Sequence, residues 1–416
     1  MKFDVCIVMF LDLRFDARTI NLVETLVSRG KRVLVYSISN HPPCPLKKGE
    51  LLIEGRMQYA PTSPQLSDRR GVLHTPTVNS PDCLSNMINI KGQGGCKNII
   101  VDIPHSRRMF VRWLSFLSFV KSDISKYSFK TFWAADLYSL PALRYFNSKE
   151  NIRIIYDSRE IYSKLSTLSN SKFRQKIITS IERYFIKKVS TVVTSGELDS
   201  EYLKNYYDLK NQICEIKNFP KYKEYIKSDL IREHFNISKD KTILLYQGVL
   251  LDGRGLIPIL KALQNSEKYV LVILGDGSFR AELERNIKQL QIENKVKFAG
   301  NIDYSELHNW TCSADVGLCN IEPISFSYEL ALPNKLFEYI LAELPVLATD
   351  LPALREVINF TNCGVLIPKE NTVKDILTAL ENIENSQDIY KENSKKVKEQ
   401  FIYESQKDLI LQLVDL

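Results

Sequence analysis

Two side chains three residues apart, Lys335 and Glu338, carry the strongest chemical signal in the chain. They lie in the run Leu332-Pro333-Asn334-Lys335-Leu336-Phe337-Glu338-Tyr339. An ammonium beside the free N–H groups of a helix start is a ready anion site. A carboxylate one turn deeper accepts hydrogen bonds from hydroxyls. A diphosphate joined to sugar hydroxyls is the simplest ligand with that layout. The element that must position them is legible. Pro333 suits the first turn of a helix, where its missing N–H is not needed, and Asn334 and Lys335 share that turn. Leu336, Phe337, Ile340 and Leu341 fall at helical spacing and give one apolar face, while Lys335 and Glu338 share the other. Pro345 breaks the helix, and Val346-Leu347-Ala348 reads as a short buried strand. By spacing alone, a solvated intrahelical ion pair is the simpler reading of Lys335 and Glu338.

A second candidate anion site follows the strand Thr242 to Gln247. Gly248 ends that strand, and Leu251-Asp252-Gly253-Arg254-Gly255-Leu256 leads into a helix. Glycines beside a strand end let the backbone approach a phosphate closely, and Arg254 adds a guanidinium. The next strand, Tyr269 to Leu274, ends in the turn Gly275-Asp276-Gly277. In the N-terminal half, Thr131 to Ala134 leads into Ala135-Asp136-Leu137, with a helix expected through Tyr145. The strand Ile152 to Tyr156 ends in Asp157-Ser158-Arg159-Glu160. Polar groups just after parallel strands are where such sheets bind ligands.

The scaffold around these groups is α/β. Val5 to Leu11 reads as a buried strand, a helix runs from Asp16 to about Ser28, and Arg32 to Ile38 is a second strand. Strand, helix, strand in forty residues is one βαβ unit, hence a parallel sheet. The turn from Asp12 to Arg18 has no glycine and so no dinucleotide fingerprint. Asp16 reads there as a helix cap and Arg18 as a surface residue. From about 40 to 97 the chain is rich in proline and glycine, an insertion without assigned role. Residues 107–121 form a helix with arginines at its start and many aromatics, which fits a core helix or a membrane interface. Glu182-Arg183 reads as an ordinary surface pair.

At 416 residues the chain is long enough for two domains, and 44% apolar with 25% charged residues describes a globular protein. A net charge of +7 fits an acidic ligand, an anionic membrane surface or nucleic acid, and selects none of them. Eight scattered cysteines without a Cys-x-x-Cys pair argue against a zinc site and a disulfide framework, and fit a reducing compartment. No cleavage site follows the apolar start, and no run reaches transmembrane length. The expected division is 1–220, a crossover into 221–400, and a C-terminal helix, 401–416, packing back on the first domain.

The run Pro333 to Tyr339 with Leu344-Pro345-Val346 resembles the donor-binding segment of retaining glycosyltransferases of family four (glycosyl transferases group 1), which have the GT-B fold. Ala135-Asp136-Leu137, Tyr156-Asp157-Ser158-Arg159-Glu160, Ile181-Glu182-Arg183, Thr191 to Ser195 and Lys217-Asn218-Phe219-Pro220 continue the likeness, as does Asp16-Ala17-Arg18. Three positions depart from it: Leu330 stands where many members have a second Glu, Arg159 where a His is common, and Glu343 where Gly is common. The resemblance implies an α/β chain of two Rossmann-like domains facing an inter-domain cleft, with the nucleotide on the second domain. It implies that Glu338 holds a ribose, and that Gly248, Arg254, Gly275, Asn334 and Lys335 line the donor site, Arg254 and Lys335 meeting the diphosphate. Asp136 and Glu160 are then positioning groups, or one of them a general base if the reaction inverts. The implied reaction moves a sugar from a nucleotide sugar, with uridine the expected base, to a hydroxyl of a saccharide or lipid-linked acceptor. Retention, no cofactor, no metal ion and no nucleic acid are expected. So is a cytoplasmic location, on the inner face of the membrane through residues 107–121, in bacterial surface polysaccharide synthesis. A nucleotide-sugar epimerase of the same architecture and a non-catalytic nucleotide-sugar-binding subunit are the alternatives.

Overall fold

The computed structural model describes residues 1–13, 16–39, 95–103, 108–146, 151–165 and 171–415. Most of the insertion expected at 40–97, and Arg107, lie outside them. The first series runs β1 Val5–Val8, α1 Ala17–Ser28, β2 Val33–Ile38, β3 Cys96–Val101, α2 Met109–Ile124, β4 Thr131–Ala134, β5 Arg153–Ser158, α3 Lys172–Ile186, β6 Thr191–Thr194, α4 Glu197–Tyr207 and β7 Gln212–Glu215. The second runs α5 Leu230–Phe235, β8 Thr242–Gln247, α6 Leu256–Gln264, β9 Tyr269–Leu274, α7 Arg280–Gln289, β10 Val296–Gly300, α8 Tyr304–Cys312, β11 Val316–Cys319 and α9 Phe326–Glu329. It continues through α10 Asn334–Leu341, β12 Val346–Thr349, α11 Pro352–Thr361, β13 Gly364–Ile367, α12 Val373–Asn385, α13 Gln387–Val397 and α14 Lys407–Asp415.

These strands form two parallel sheets, ordered β3-β2-β1-β4-β5-β6-β7 and β10-β9-β8-β11-β12-β13. The inner strands, such as Val5–Val8, Val33–Ile38 and Tyr269–Leu274, are buried at every position. That explains why they are continuous apolar runs: helices cover both faces of such a sheet. Strand order reverses beside β1, which pairs with β2 and β4, and beside β8, which pairs with β9 and β11. Crevices open beyond the C-terminal ends of strands at such points. Asp136, Gly248, Arg254 and Gly275 follow the ends of β4, β8 and β9, and Glu160 follows the end of β5 next to β4.

Three local expectations are corrected. Residues Leu137–Tyr145 are 3-10 turns with Pro141 inside, because proline cannot supply the α-helical N–H. Asp16 caps no backbone N–H of α1, and Arg18 is not a surface residue. Glu182 is not half of a surface pair: it is fully buried and accepts hydrogen bonds from Tyr156 Oη and Tyr207 Oη, each at 2.7 Å. A buried carboxylate needs such partners.

After the second sheet the chain returns to the first. Tyr403 Oη meets Thr25 Oγ1 at 3.0 Å, Gln406 bonds the backbone of Lys217, and Arg153 Nη1 donates to Leu413 O at 3.1 Å on α14. The crossover is anchored by Phe219, whose ring packs 4.6 Å from Phe337 of α10 and 5.7 Å from Phe401. The ring is partly buried, so its burial contributes part of the roughly 2–3 kcal/mol of a fully buried aromatic, and it ties α10 to the crossover. Among the described residues no helix is long and apolar enough to cross a membrane.

Candidate functional site

The first turn of α10 meets the ends of β8 and β11. Pro333 stands one place earlier than expected, as the extended residue before the helix, and Asn334 is exposed in the first turn. Lys335 is only 7% exposed, and its Nζ has no hydrogen-bond partner. The ammonium lies 3.8 Å from the centroid of the Tyr246 ring. Burial pushes its pKa down to about 7, with Arg254 pushing the same way and Cys319 and Glu338 opposing. The solvated ion pair is therefore not what forms. Glu338 instead accepts from Gln247 Nε2, while Gln247 Oε1 accepts from Thr311 Oγ1 at 2.9 Å. Burial raises the pKa of Glu338, with the Gln247 bond, Lys223 and Lys335 lowering it. Its carboxylate borders a small cavity lined also by Lys223, Tyr304, Leu307 and His308.

Arg254 sits between two left-handed glycines, Gly253 at φ +76° and Gly255 at φ +65°. Its guanidinium lies over the Tyr328 ring at 5.0 Å, and its Nε is buried without a partner. A cavity of about 290 Å³ runs along this loop between Arg254, Phe279 and Glu322. Gly275 has φ +132°, and a Cβ there would stand 2.1 Å from Gly248 O. The turns after β8 and β9 touch at that point, so the position is closed to any side chain. Asn320, directly after β11, is 2% exposed, and neither atom of its amide has a partner. Lys335, Arg254 and Asn320 thus leave buried polar atoms unmatched on one side of the crevice. Such orphans in a folded protein call for a ligand, because each costs about 1–3 kcal/mol unmatched.

The opposite wall belongs to the first sheet. Asp136 is a clamp: Oδ2 accepts from Phe10 N and Oδ1 from Ser139 N, each at 2.7 Å. Burial raises its pKa, and those backbone N–H groups lower it. Both oxygens are thus engaged in fixing the turns after β1 and β4. Glu160 is exposed in the cleft; desolvation raises its pKa, Arg254 lowers it across the gap, and Asp199 raises it. Arg159, in the place of the common His, is tied inward to Asp16 at 2.5 Å and Thr19 at 2.6 Å. Arg18 pairs with Asp157 at 2.7 Å and reaches Asn218 at 2.9 Å. This network was not legible as such in the sequence, nor were Asn320, Gln247 and Thr311. The one signal for Asn320 is a polar residue immediately after a wholly buried strand. Glu343 has φ +51°, which explains why glycine is common there, and it pairs with Lys398 at 2.6 Å. Among the described residues no group of three or more His, Cys, Asp or Glu could hold a metal ion.

Residues 227–401 match the family described as glycosyl transferases group 1. An uncharacterized glycosyltransferase of Methanocaldococcus jannaschii is 25% identical over 185 residues, 42% of this chain and 43% of that protein. The match therefore spans less than half of that relative. Sucrose-phosphate synthase from Thermosynechococcus elongatus superposes with a TM-score of 0.72 at 15% identity, covering 99% of this chain and 98% of the other. Anabaena HepE in complex with UDP-glucose gives 0.68 at 13% identity, covering 99% and 98%. WaaG, a glycosyltransferase involved in lipopolysaccharide biosynthesis, gives 0.61 at 16%, covering 98% and 99%. The chain has the GT-B fold, and its residues 227–401 belong to glycosyl transferases group 1.

Proposed function

We propose that the protein transfers a sugar from a nucleotide sugar to a hydroxyl, with the donor held by the second sheet and the acceptor by the first. The observation that carries this reading is the set of unmatched buried atoms on Lys335, Arg254 and Asn320 beside the start of α10. A diphosphate supplies acceptors for Lys335 Nζ, Arg254 Nε and Asn320 Nδ2, and a sugar hydroxyl supplies a donor for Asn320 Oδ1. As the bond to the sugar breaks, negative charge grows on the leaving diphosphate, and Lys335, Arg254 and the free N–H groups of α10 stabilise it. Two cations at that place do the work often given to a metal ion, so the reaction proceeds without one. Glu338, held by Gln247, accepts from the ribose hydroxyls. Uridine is the proposed base, in keeping with HepE, which binds UDP-glucose.

The acceptor is a saccharide or lipid-linked hydroxyl lying between Glu160 and the donor, and transfer retains configuration. Glu160 positions that hydroxyl, and Asp136 shapes the wall behind it. The family link and the likeness to WaaG favour synthesis of a bacterial surface polysaccharide at the inner face of the membrane, with residues 107–121 in contact with it. The test is incubation with a panel of nucleotide sugars, with and without a lipid-linked acceptor extract, followed by mass spectrometry. Acceptor mass should rise by one sugar as free nucleoside diphosphate appears. Interconversion of the sugar without acceptor would make the protein an epimerase, and tight donor binding without turnover would make it a binding subunit.

A further inference from the structure

The outer side of α3 has no part in the donor site and is largely exposed, with Arg144 lying 5.1 Å over the ring of Tyr184 near its end. Phe173 is 74% exposed, Ile177 44% and Tyr184 48%. Their spacing places them along one side of the helix. Lys172, Arg174, Lys176, Arg183, Lys187 and Lys188 are exposed around them. The one carboxylate between 172 and 188, Glu182, is turned inward onto Tyr156 and Tyr207. Six outward cations with no outward carboxylate compare with a net charge of +7 for the entire chain. Among the described residues none of the six is ion-paired; Arg183 and Lys188 lie over tyrosine rings.

The start of α2 has the same character. Met109 is 64% exposed, Phe110 63% and Leu114 46%, beside Arg108. Both helices bury their inner sides in one core, α2 through Phe116 and Val120, α3 through Phe185 and Ile186. They therefore cover the same face of the first sheet. Both also begin beyond the C-terminal end of a parallel strand, β3 for α2 and β5 for α3.

We infer that the outer side of α3, with the start of α2, docks on an anionic phospholipid surface. Exposed apolar and aromatic side chains gain by entering the interfacial layer, and cations around them meet the head groups. Nucleic acid would satisfy the cations but leave Phe173 and Ile177 in water. The inference extends the membrane contact proposed for residues 107–121 and is independent of donor chemistry.

The test is flotation of the full chain with vesicles of phosphatidylcholine alone, or with one third phosphatidylglycerol. The wild type should bind the mixed vesicles and not the neutral ones, and less so in high salt. Lys172→Glu/Arg174→Glu/Lys176→Glu should weaken binding by at least about a hundredfold, since each charge near such a surface is worth on the order of fivefold. Phe173→Ser/Ile177→Ser should weaken it by about tenfold. Both variants should bind uridine diphosphate like wild type, which separates this result from the fate of the donor site and shows that the chain has folded. Wild type that ignores mixed vesicles, or variants that float like wild type, would overturn the inference. So would loss in the charge variant alone with short RNA competing for the surface, because the face would then serve any polyanion.

Discussion

Lys335 should take up a proton when a nucleoside diphosphate binds. In the unliganded protein burial holds its pKa at about 7 against an ordinary 10.5. That depression corresponds to roughly 5 kcal/mol of disfavoured charging. A diphosphate beside the amine reverses it, so at pH 8 binding should draw in about 0.9 proton at this group, and at pH 6 about 0.1. Affinity should then fall about tenfold per pH unit from 7.5 to 9. Calorimetric titration with uridine diphosphate in buffers of different ionisation enthalpy measures the uptake. Lys335→Arg keeps its charge throughout and serves as the reference, because the terminal phosphate also titrates near pH 6. The same depression fixes the sign for stability. Between pH 7 and 10.5 the unfolded chain holds the proton and the folded one does not, so stability rises with pH across that window and the cost is fully present below it. From pH 7 to 9 the unliganded protein should gain about 2 kcal/mol from this group. Lys335→Met should therefore weaken the diphosphate by about 1.5–3 kcal/mol while making the unliganded protein more stable at pH 7. Equal proton uptake at pH 8 in wild type and Lys335→Arg would refute the reasoning, as would a Lys335→Met protein that is less stable than wild type.

Four further outcomes are expected. Glu338→Ala should lose most of the preference for the ribo- over the 2′-deoxyribonucleotide in calorimetry, and Glu338→Gln part of it; Glu338→Ala also leaves the buried Gln247 amide unmatched, at a cost of at most about 1–3 kcal/mol in the unliganded protein. Arg254→Ala should weaken donor binding or slow turnover by about 1.5–3 kcal/mol, read from kcat/KM over a donor series. Transfer activity should survive excess chelator; loss restored by magnesium or manganese would mean that Lys335 and Arg254 do not carry the charge. Glu182→Leu should unpair two buried hydroxyls and cost about 3 kcal/mol in urea unfolding, with uridine diphosphate affinity unchanged.

What the sequence displayed was set by local pattern. Parallel strands buried on both faces must be continuous apolar runs, so Val33–Ile38 and Tyr269–Leu274 were recognisable from composition alone. α10 was recognisable because Leu336, Phe337, Ile340 and Leu341 repeat at helical spacing. The burial of Glu182 was hidden because its partners, Tyr156 and Tyr207, stand 26 and 25 residues away. Arg18 finds Asp157 across 139 residues, so its neighbours in sequence suggested only a helix cap and a surface charge. Lys335 and Glu338 share a helix face, yet each is claimed by a different surrounding: one by the ring of Tyr246, the other by the amide of Gln247. Spacing along a helix states which side chains could meet, and tertiary packing decides which do.

The two walls of the cleft differ in how complete they are. On the first sheet the charged groups are mostly engaged within the chain: Asp136 holds two turns, Arg159 holds Asp16 and Thr19 while its Nε makes no hydrogen bond, and Arg18 joins Asp157 to Asn218 at the crossover. Glu160 is exposed there, at the place proposed for the acceptor. On the second sheet the same kind of accounting fails to close at Lys335, Arg254 and Asn320. A charged ligand that closes it releases the cost of those unmatched groups and fixes the start of α10, which Phe337 ties through Phe219 to the crossover itself. Binding energy gained on the second wall therefore acts on the segment that joins the walls. Under the proposed function, an occupied donor site would act through that segment on the geometry met by the acceptor.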